Sequence, residues 1–260
     1  MSDTPNILIW DLETGYNVAT IFSLFNKRPI PPDAIQQERY IICGAYKLLG
    51  QGSTRAISLL GDLDRFREDP TDDSYVVREL HKVLSEADAL VAHYGDNFDS
   101  RYFNTRAVFH GLDPLPDIPQ IDTYKIAKGK FLFNSNRLDY LGKFLGLGGK
   151  ISTNQELWAR CYRGEQKAVR EMVAYNKQDV DLLEAVYQKL APYAHQAQRK
   201  VNMNLWFGDN NVCPTCGSDN LHRRGYRYTR VSEFARFQCQ ACGSWSSAPI
   251  NTEGKLGKIR

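Results

Sequence analysis

The sequence predicts an α/β domain, a sheet flanked by helices, followed by a small cysteine-rich appendage. Three observations carry this prediction. Short apolar runs in the first half are separated by segments with helical spacing. A long amphipathic stretch closes the larger part of the chain. Four of the six cysteines, Cys213, Cys216, Cys239 and Cys242, then fall beyond Gly208 as two Cys-x-x-Cys units.

Residues 6–11 read as an apolar strand, and 40–47 and 55–60 as two more, bounded by Gly50, Gly52 and Gly61. Residues 74–87 repeat Val77, Leu80, Val83 and Leu84 at helical spacing, and 89–93 form a further buried strand. Helices are predicted over 99–110, 122–128 and 138–145, with the breaker Asp-Pro-Leu-Pro-Asp between the first two. Over 165–190, Val169, Met172, Val173, Val180, Leu183, Tyr187 and Leu190 mark one face of the longest helix, preceded by Gly164 and ended near Pro192. Residues 1–195 are thus read as one domain, 196–207 as a polar connection, 208–250 as the appendage and 251–260 as a basic tail.

With 260 residues, 42% of them hydrophobic and 24% charged, the chain has the means for a real core, and wholesale disorder is excluded. No apolar run approaches the roughly 18–20 residues of a bilayer span. The start, Met-Ser-Asp-Thr-Pro-Asn, lacks a basic region followed by an apolar one. Neither membrane insertion nor secretion is expected. The net charge of +3 is uneven: residues 208–260 hold eight Lys or Arg against four Asp or Glu, leaving 25 against 26 before them.

The candidate chemistry lies in carboxylates. On an extended chain residues i and i+2 share a face, so Asp11 and Glu13 at the end of the first strand can hold one cation, or simply lead into solvent. Asp99 follows the strand at 89–93 through His93-Tyr94-Gly95-Asp96-Asn97-Phe98 and reads as a site carboxylate or a helix N-cap. His93 is either a general base or a hydrogen-bonded structural residue. On the long helix Tyr175 and Asp179 stack at i and i+4 beside the apolar stripe. There a carboxylate is costly unless paired or bound to metal.

Taken in order, Asp11 and Glu13, then Asn97-Phe98-Asp99, then Tyr175-x-x-x-Asp179 resemble the three motifs of the DEDD-type 3′-to-5′ exonucleases, found in the proofreading domains of DNA polymerases. The resemblance spans roughly residues 5–195. Tyr175 assigns the tyrosine branch; the histidine branch would place His at position 174, which is Ala. Ile121-Asp122-Thr123 and Leu138-Asp139-Tyr140-Leu141 are similar to the connecting region of phage-type relatives, with Asp122 also reading as a helix cap. Tyr94 stands where polymerase exonucleases often carry Asn.

The resemblance implies a ribonuclease H-like mixed sheet and hydrolysis of phosphodiesters from the 3′ end of single-stranded DNA, giving nucleoside 5′-monophosphates. It implies two Mg²⁺ or Mn²⁺ ions held by Asp11, Glu13, Asp99 and Asp179, hard oxygen donors suited to those metals. Asp11 and Asp99 would be the most metal-exposed ligands. Tyr175, a poor base with an ordinary pKa near 10, would orient the attacking water. Thr14 and Gly15, through backbone groups, and Tyr94, Asn97 and Phe98 are the residues expected to touch the substrate terminus, with a plain turn as the alternative for Thr14 and Gly15. A DNA polymerase or other replication protein is an expected partner, in the cytoplasm of a bacterial cell or phage-infected host. A non-catalytic adaptor with a vestigial acidic site is the alternative, and a ribonuclease H-like endonuclease a third.

Cys213-Pro-Thr-Cys216-Gly and Cys239-Gln-Ala-Cys242-Gly are equivalent knuckles 22 residues apart, suited to one structural Zn²⁺ in a zinc ribbon. An iron–sulfur cluster or a redox dithiol pair are the alternatives. Between them lie Arg223-Arg224-Gly225-Tyr226-Arg227-Tyr228 and Phe234-Ala235-Arg236-Phe237, alternating as in a hairpin. Arg227 and Tyr228 are candidates for binding nucleic acid, through phosphate neutralisation and base stacking. The same aromatics also read as the ribbon's own core.

Overall fold

The computed structural model describes residues 5–23, 29–149, 153–194, 202, 211–250 and 255–257. The expected connection at 196–207 lies outside them except for Asn202. Most of the tail at 251–260 does too.

The chain runs through β1 (Ile7–Thr14), β2 (Val18–Ala19), β3 (Ile35–Gln37), β4 (Ile41–Leu48) and β5 (Arg55–Ser58), then α1 (Leu63–Glu68) and α2 (Ser74–Ser85). It continues with β6 (Ala89–Ala92), α3 (Asp99–Phe109), β7 (Gln120–Asp122), α4 (Thr123–Lys130), α5 (Leu138–Phe144), α6 (Gln155–Tyr162) and α7 (Gln166–Leu190). Strands β8 (Leu221–Tyr228), β9 (Glu233–Cys239) and β10 (Trp245–Pro249) follow. Among the described residues no helix is long and apolar enough to cross a membrane.

The main sheet has the order β5-β4-β1-β6-β7. Strand β1 pairs antiparallel with β4 and parallel with β6, so the sheet is mixed, as the resemblance implied. Alternation along β1 sends Leu8, Trp10 and Leu12 into one core cluster with residues of α2 and α3. Ile7 and Ile9 join the other cluster, with Ile126 of α4, Leu141 of α5, and Val180 and Leu183 of α7. Asp11 and Glu13 continue the Ile7/Ile9 row, so the two carboxylates emerge on the face that α7 covers.

Strand β1 runs three residues beyond the predicted Asp11, because β4 pairs with it as far as Thr14↔Ile41. Glu13 is therefore a strand residue. A register shift between Glu13 and Thr14 ends the regular pairing. Helix α4 starts at Thr123, where the Asp122 side chain accepts the Tyr124 N–H, so Asp122 is the cap expected of it. Asp99 is not at the N-cap position, which is Phe98: it is the first residue of α3, and its side chain accepts from Leu12 of β1. Helices α1 and α6 and strands β2, β3, β7 and β10 are not read from the sequence. Each is eight residues or shorter and spans too few turns or alternations to show a period.

An ionic cluster holds the first core together. Asp73, fully buried, accepts both Nε and Nη2 of Arg106 at 2.7 Å, lies 2.6 Å from His110 Nε2, and accepts the Ile41 N–H at 2.8 Å. It thereby ties α2 and α3 to the first residue of β4. Removing one partner of such a pair leaves a buried charge uncompensated. Arg106→Ala is therefore expected to cost about 3–5 kcal/mol, read as a lower urea midpoint. An unchanged midpoint would show that the cluster contributes no stability.

Strands β10-β9-β8 form a separate antiparallel sheet over a small core of Ala235, Phe237 and Ala248. Phe237 alone of the four hairpin aromatics is buried there. Tyr226 and Tyr228 are 44% and 70% exposed.

Candidate active site

Donor oxygens of Asp11, Glu13 and Asp179 all lie within 4.8 Å of one another. The strand row supplies the first two and α7 the third. Asp179 is fully buried. Tyr175, one turn earlier on α7, is 9% exposed.

Asp99 stands outside that trio yet beside it. Its Oδ1 accepts the N–H of Leu12, the residue between Asp11 and Glu13, at 3.1 Å. The parallel register of β1 with β6 ends at Ile9↔Val91, so β1 has no strand neighbour on that side beyond it. The carboxylate of Asp99 satisfies a donor that the sheet leaves over.

Asn176 was missed by the sequence reading. Fully buried on α7, it donates Nδ2–H to Asp11 Oδ2 at 2.7 Å, while its Oδ1 accepts the Cys43 thiol at 3.6 Å. Burial, then the neighbouring Glu13 carboxylate, pushes the Cys43 thiol well up, so it remains an S–H donor. Asn176 precedes Asp179 by three residues and so shares its helix face, the signal that would have found it. Cys161, pushed up to about 12 by burial, is likewise an inert thiol.

The turn after β1 is tightly seated. The Thr14 carbonyl accepts Trp158 Nε1–H at 3.1 Å, and the Gly15 N–H donates to Tyr40 O at 2.8 Å. These two bonds hold the turn. A Cβ on Gly15 would lie 2.3 Å from the Tyr40 ring, so the close approach of that ring requires glycine.

Between β6 and α3 the chain folds back through Tyr94, whose φ of 67° is left-handed. Such a conformation costs about 1 kcal/mol or more in a residue other than glycine. The Tyr94 N–H bond to Asp122 Oδ1 at 2.9 Å opposes that cost. Burial raises the pKa of Asp122. Tyr94 is exposed, its ring edge-on to Tyr124 at 5.0 Å. His93 has its ring nitrogens 2.9 Å from Thr123 Oγ1 and Asn136 O, the structural reading of the two left open.

Asn97 is exposed and Phe98 half-buried. The Phe98 ring stacks on Tyr102 at 6.0 Å, and the Arg39 guanidinium lies 5.7 and 5.6 Å from the two rings. Arg39 also escaped the sequence reading, since nothing local links it to residue 98. A cation and two rings are thus gathered next to Asp99, at the start of α3.

In the C-terminal sheet the four cysteine sulfurs also lie within 4.8 Å of one another. Cys213 and Cys242 have their sulfurs 3.8 Å apart, and Cys216 and Cys239 3.7 Å. Disulfide bonds need about 2.05 Å. The knuckles repeat one another: Gly217 N–H donates to Cys213 O and Gly243 N–H to Cys239 O. Arg227 and Tyr228 are exposed on β8.

Residues 52–191 match the model of the RNase H superfamily, a span that includes Asp99, Tyr175 and Asp179 and begins after Asp11 and Glu13. No curated protein matches the chain. Among solved structures, the family B DNA polymerase of the hyperthermophilic archaeon Pyrobaculum calidifontis is similar in fold, with a TM-score of 0.53 at 14% identity. The likeness covers 89% of this chain and 32% of the polymerase, so this protein spans about a third of that chain's length.

Proposed function

Since the chain belongs to the RNase H superfamily, we propose that it is a metal-dependent 3′-to-5′ exonuclease of the tyrosine branch that shortens single-stranded DNA and releases nucleoside 5′-monophosphates. The observation that carries this is the meeting of Asp11, Glu13 and Asp179 within 4.8 Å, with Asp99 on the backbone between the first two. The likeness to a DNA polymerase supports a DNA substrate.

The donor set fits Mg²⁺ or Mn²⁺. It is all carboxylate, with neither sulfur nor imidazole, and so is hard and anionic. Like charges this close repel, which a divalent cation between them would reverse. Asp11, Glu13, Asp99 and Asp179 would hold it. When bound, such ions supply Lewis acidity and neutralise charge at the phosphodiester.

The chain's own groups do the rest. Tyr175 presents its hydroxyl one turn from Asp179 to orient the attacking water. Asn176 fixes the Oδ2 of Asp11, and the Leu12 N–H fixes Asp99, so both carboxylates keep their direction while substrate exchanges. Phe98, with Tyr94 and Asn97, borders the terminal nucleotide, and Arg39 offers positive charge to its phosphate. The four cysteines would hold one structural Zn²⁺, since four thiolates make a closed set with no position for chemistry.

The test is an end-labelled single-stranded oligonucleotide with Mg²⁺ or Mn²⁺, its 3′ terminus free or blocked. A ladder that grows from the free 3′ end and stops at the block is expected. Internal cuts despite the block would make the protein an endonuclease, and binding without cleavage would make it an adaptor. Asn176→Ala is expected to lower activity roughly 10–100-fold and to raise the Mg²⁺ concentration needed for half-maximal rate. A wild-type Mg²⁺ titration would remove Asn176 from the positioning role.

A further inference from the structure

Strand β8 is an edge strand whose residues 222–228 are all exposed, although the sheet has a core on one side. Its side chains are nevertheless ordered against one another. Tyr226 and Tyr228, two apart and therefore on one side, stack at 6.2 Å with an interplanar angle of 30°. Arg223 would point the other way in a regular strand. A register shift between Arg223 and Tyr226, with Gly225 at φ 74°, reverses that parity. Arg223 consequently lies 5.0 Å from the Tyr226 ring and donates Nη2–H to its hydroxyl at 2.9 Å. The bulge builds a row of three planar groups.

The opposite side repeats the pairing of cation and ring. Arg227 lies 5.8 Å from Phe234, and Arg236 lies 5.4 Å from the half-exposed Trp245. Residues 221–239 contain five Arg and no Lys against one acid, Glu233. Guanidinium groups stack on rings and bind phosphate oxygens in the same pose. Exposed rings beside arginines that outnumber acids five to one over 221–239 match a polyanion that carries planar bases. An acidic peptide would satisfy the charge and leave the rings unused.

We propose that the β8–β9 hairpin is a sequence-tolerant track for single-stranded nucleic acid, with Tyr226 and Tyr228 stacking on successive bases and Arg223 and Arg227, on the same exposed edge strand, neutralising phosphates. It deepens the exonuclease reading, and rests on it for which strand is held: the one whose 3′ end is trimmed. The rings read base faces and not the sugar, so DNA and RNA single strands are held alike.

The experiment uses the full chain carrying Asp11→Asn, so that binding is read without degradation. Anisotropy of labelled dT20, U20 and a 20-base-pair duplex is followed across a salt series, with and without Tyr226→Ala/Tyr228→Ala or Arg223→Ala/Arg227→Ala. The tyrosine pair is expected to weaken dT20 and U20 binding at least ten-fold, leaving the salt slope unchanged. The arginine pair should flatten the slope by about 0.7 for each phosphate that is no longer neutralised. Zinc content equal to that of the parent shows that each variant keeps its fold. The proposal is overturned by dT20 binding unaffected by the tyrosines, by preference for the duplex, or by polyglutamate competing as well as dT20. Hydrolysis is scored separately with the enzyme that retains Asp11, so loss of either reading leaves the other standing.

Discussion

Asp179→Asn is expected to abolish nucleotide release, by at least about 10³-fold, while the protein stays folded. The substitution keeps the shape of a fully buried side chain and removes its charge. It leaves Asp11 and Glu13 as two carboxylates where three had met within 4.8 Å. Charges at that separation repel by roughly 3 kcal/mol at an effective dielectric near 20, a repulsion that a bound divalent cation converts into attraction. A second readout follows. Mg²⁺ should raise the melting temperature of the wild-type chain, by mass action on the folded state, and should raise that of Asp179→Asn far less. Wild-type rates in the variant, or an equal Mg²⁺ response, would refute the site.

Cys216→Ser should cost the C-terminal sheet its fold. Among the described residues its core cluster has three buried side chains, Ala235, Phe237 and Ala248, with Leu221 and Ile250 partly buried against them, little apolar surface to hold three strands together. On the zinc reading the remaining free energy comes from the metal, for which thiolate sites of this kind supply apparent values of about 10–16 kcal/mol. Removal of one sulfur, or strong chelation, should abolish stoichiometric zinc and open the arginines of β8 to trypsin. The transition of the larger sheet, with its separate core clusters, should persist. A protease-resistant hairpin in the metal-free variant would contradict a structural role for zinc.

Much of this was legible because it is local. The i, i+2 row of Asp11 and Glu13 follows from strand geometry, and the i, i+4 stack of Tyr175 and Asp179 from helix geometry. The apolar periods of α2 and α7 come from burial of one face, and the two knuckles from spacing alone. The illegible parts are pairings between residues far apart in the chain. Asn176 reaches Asp11 across 165 positions, Asp99 reaches Leu12 across 87, and Arg106 reaches Asp73 across 33. Arg39 gains its rings in the same way. No short-range pattern encodes such a pair, because neither partner constrains the backbone near the other.

The sequence by itself determined which residue types could do the chemistry and on which face of each element they stand, since backbone periodicity is a property of a few neighbouring residues. Only the tertiary structure decided that Asp11, Glu13 and Asp179 form the close trio with Asp99 one hydrogen bond away, on the backbone between the first two. Only it placed Asn176 behind the trio and left Tyr226 and Tyr228 outside the small core. Those distances depend on where β6 stops, how α7 lies across the sheet and where β8 bulges, and each is set by the packing of the whole chain.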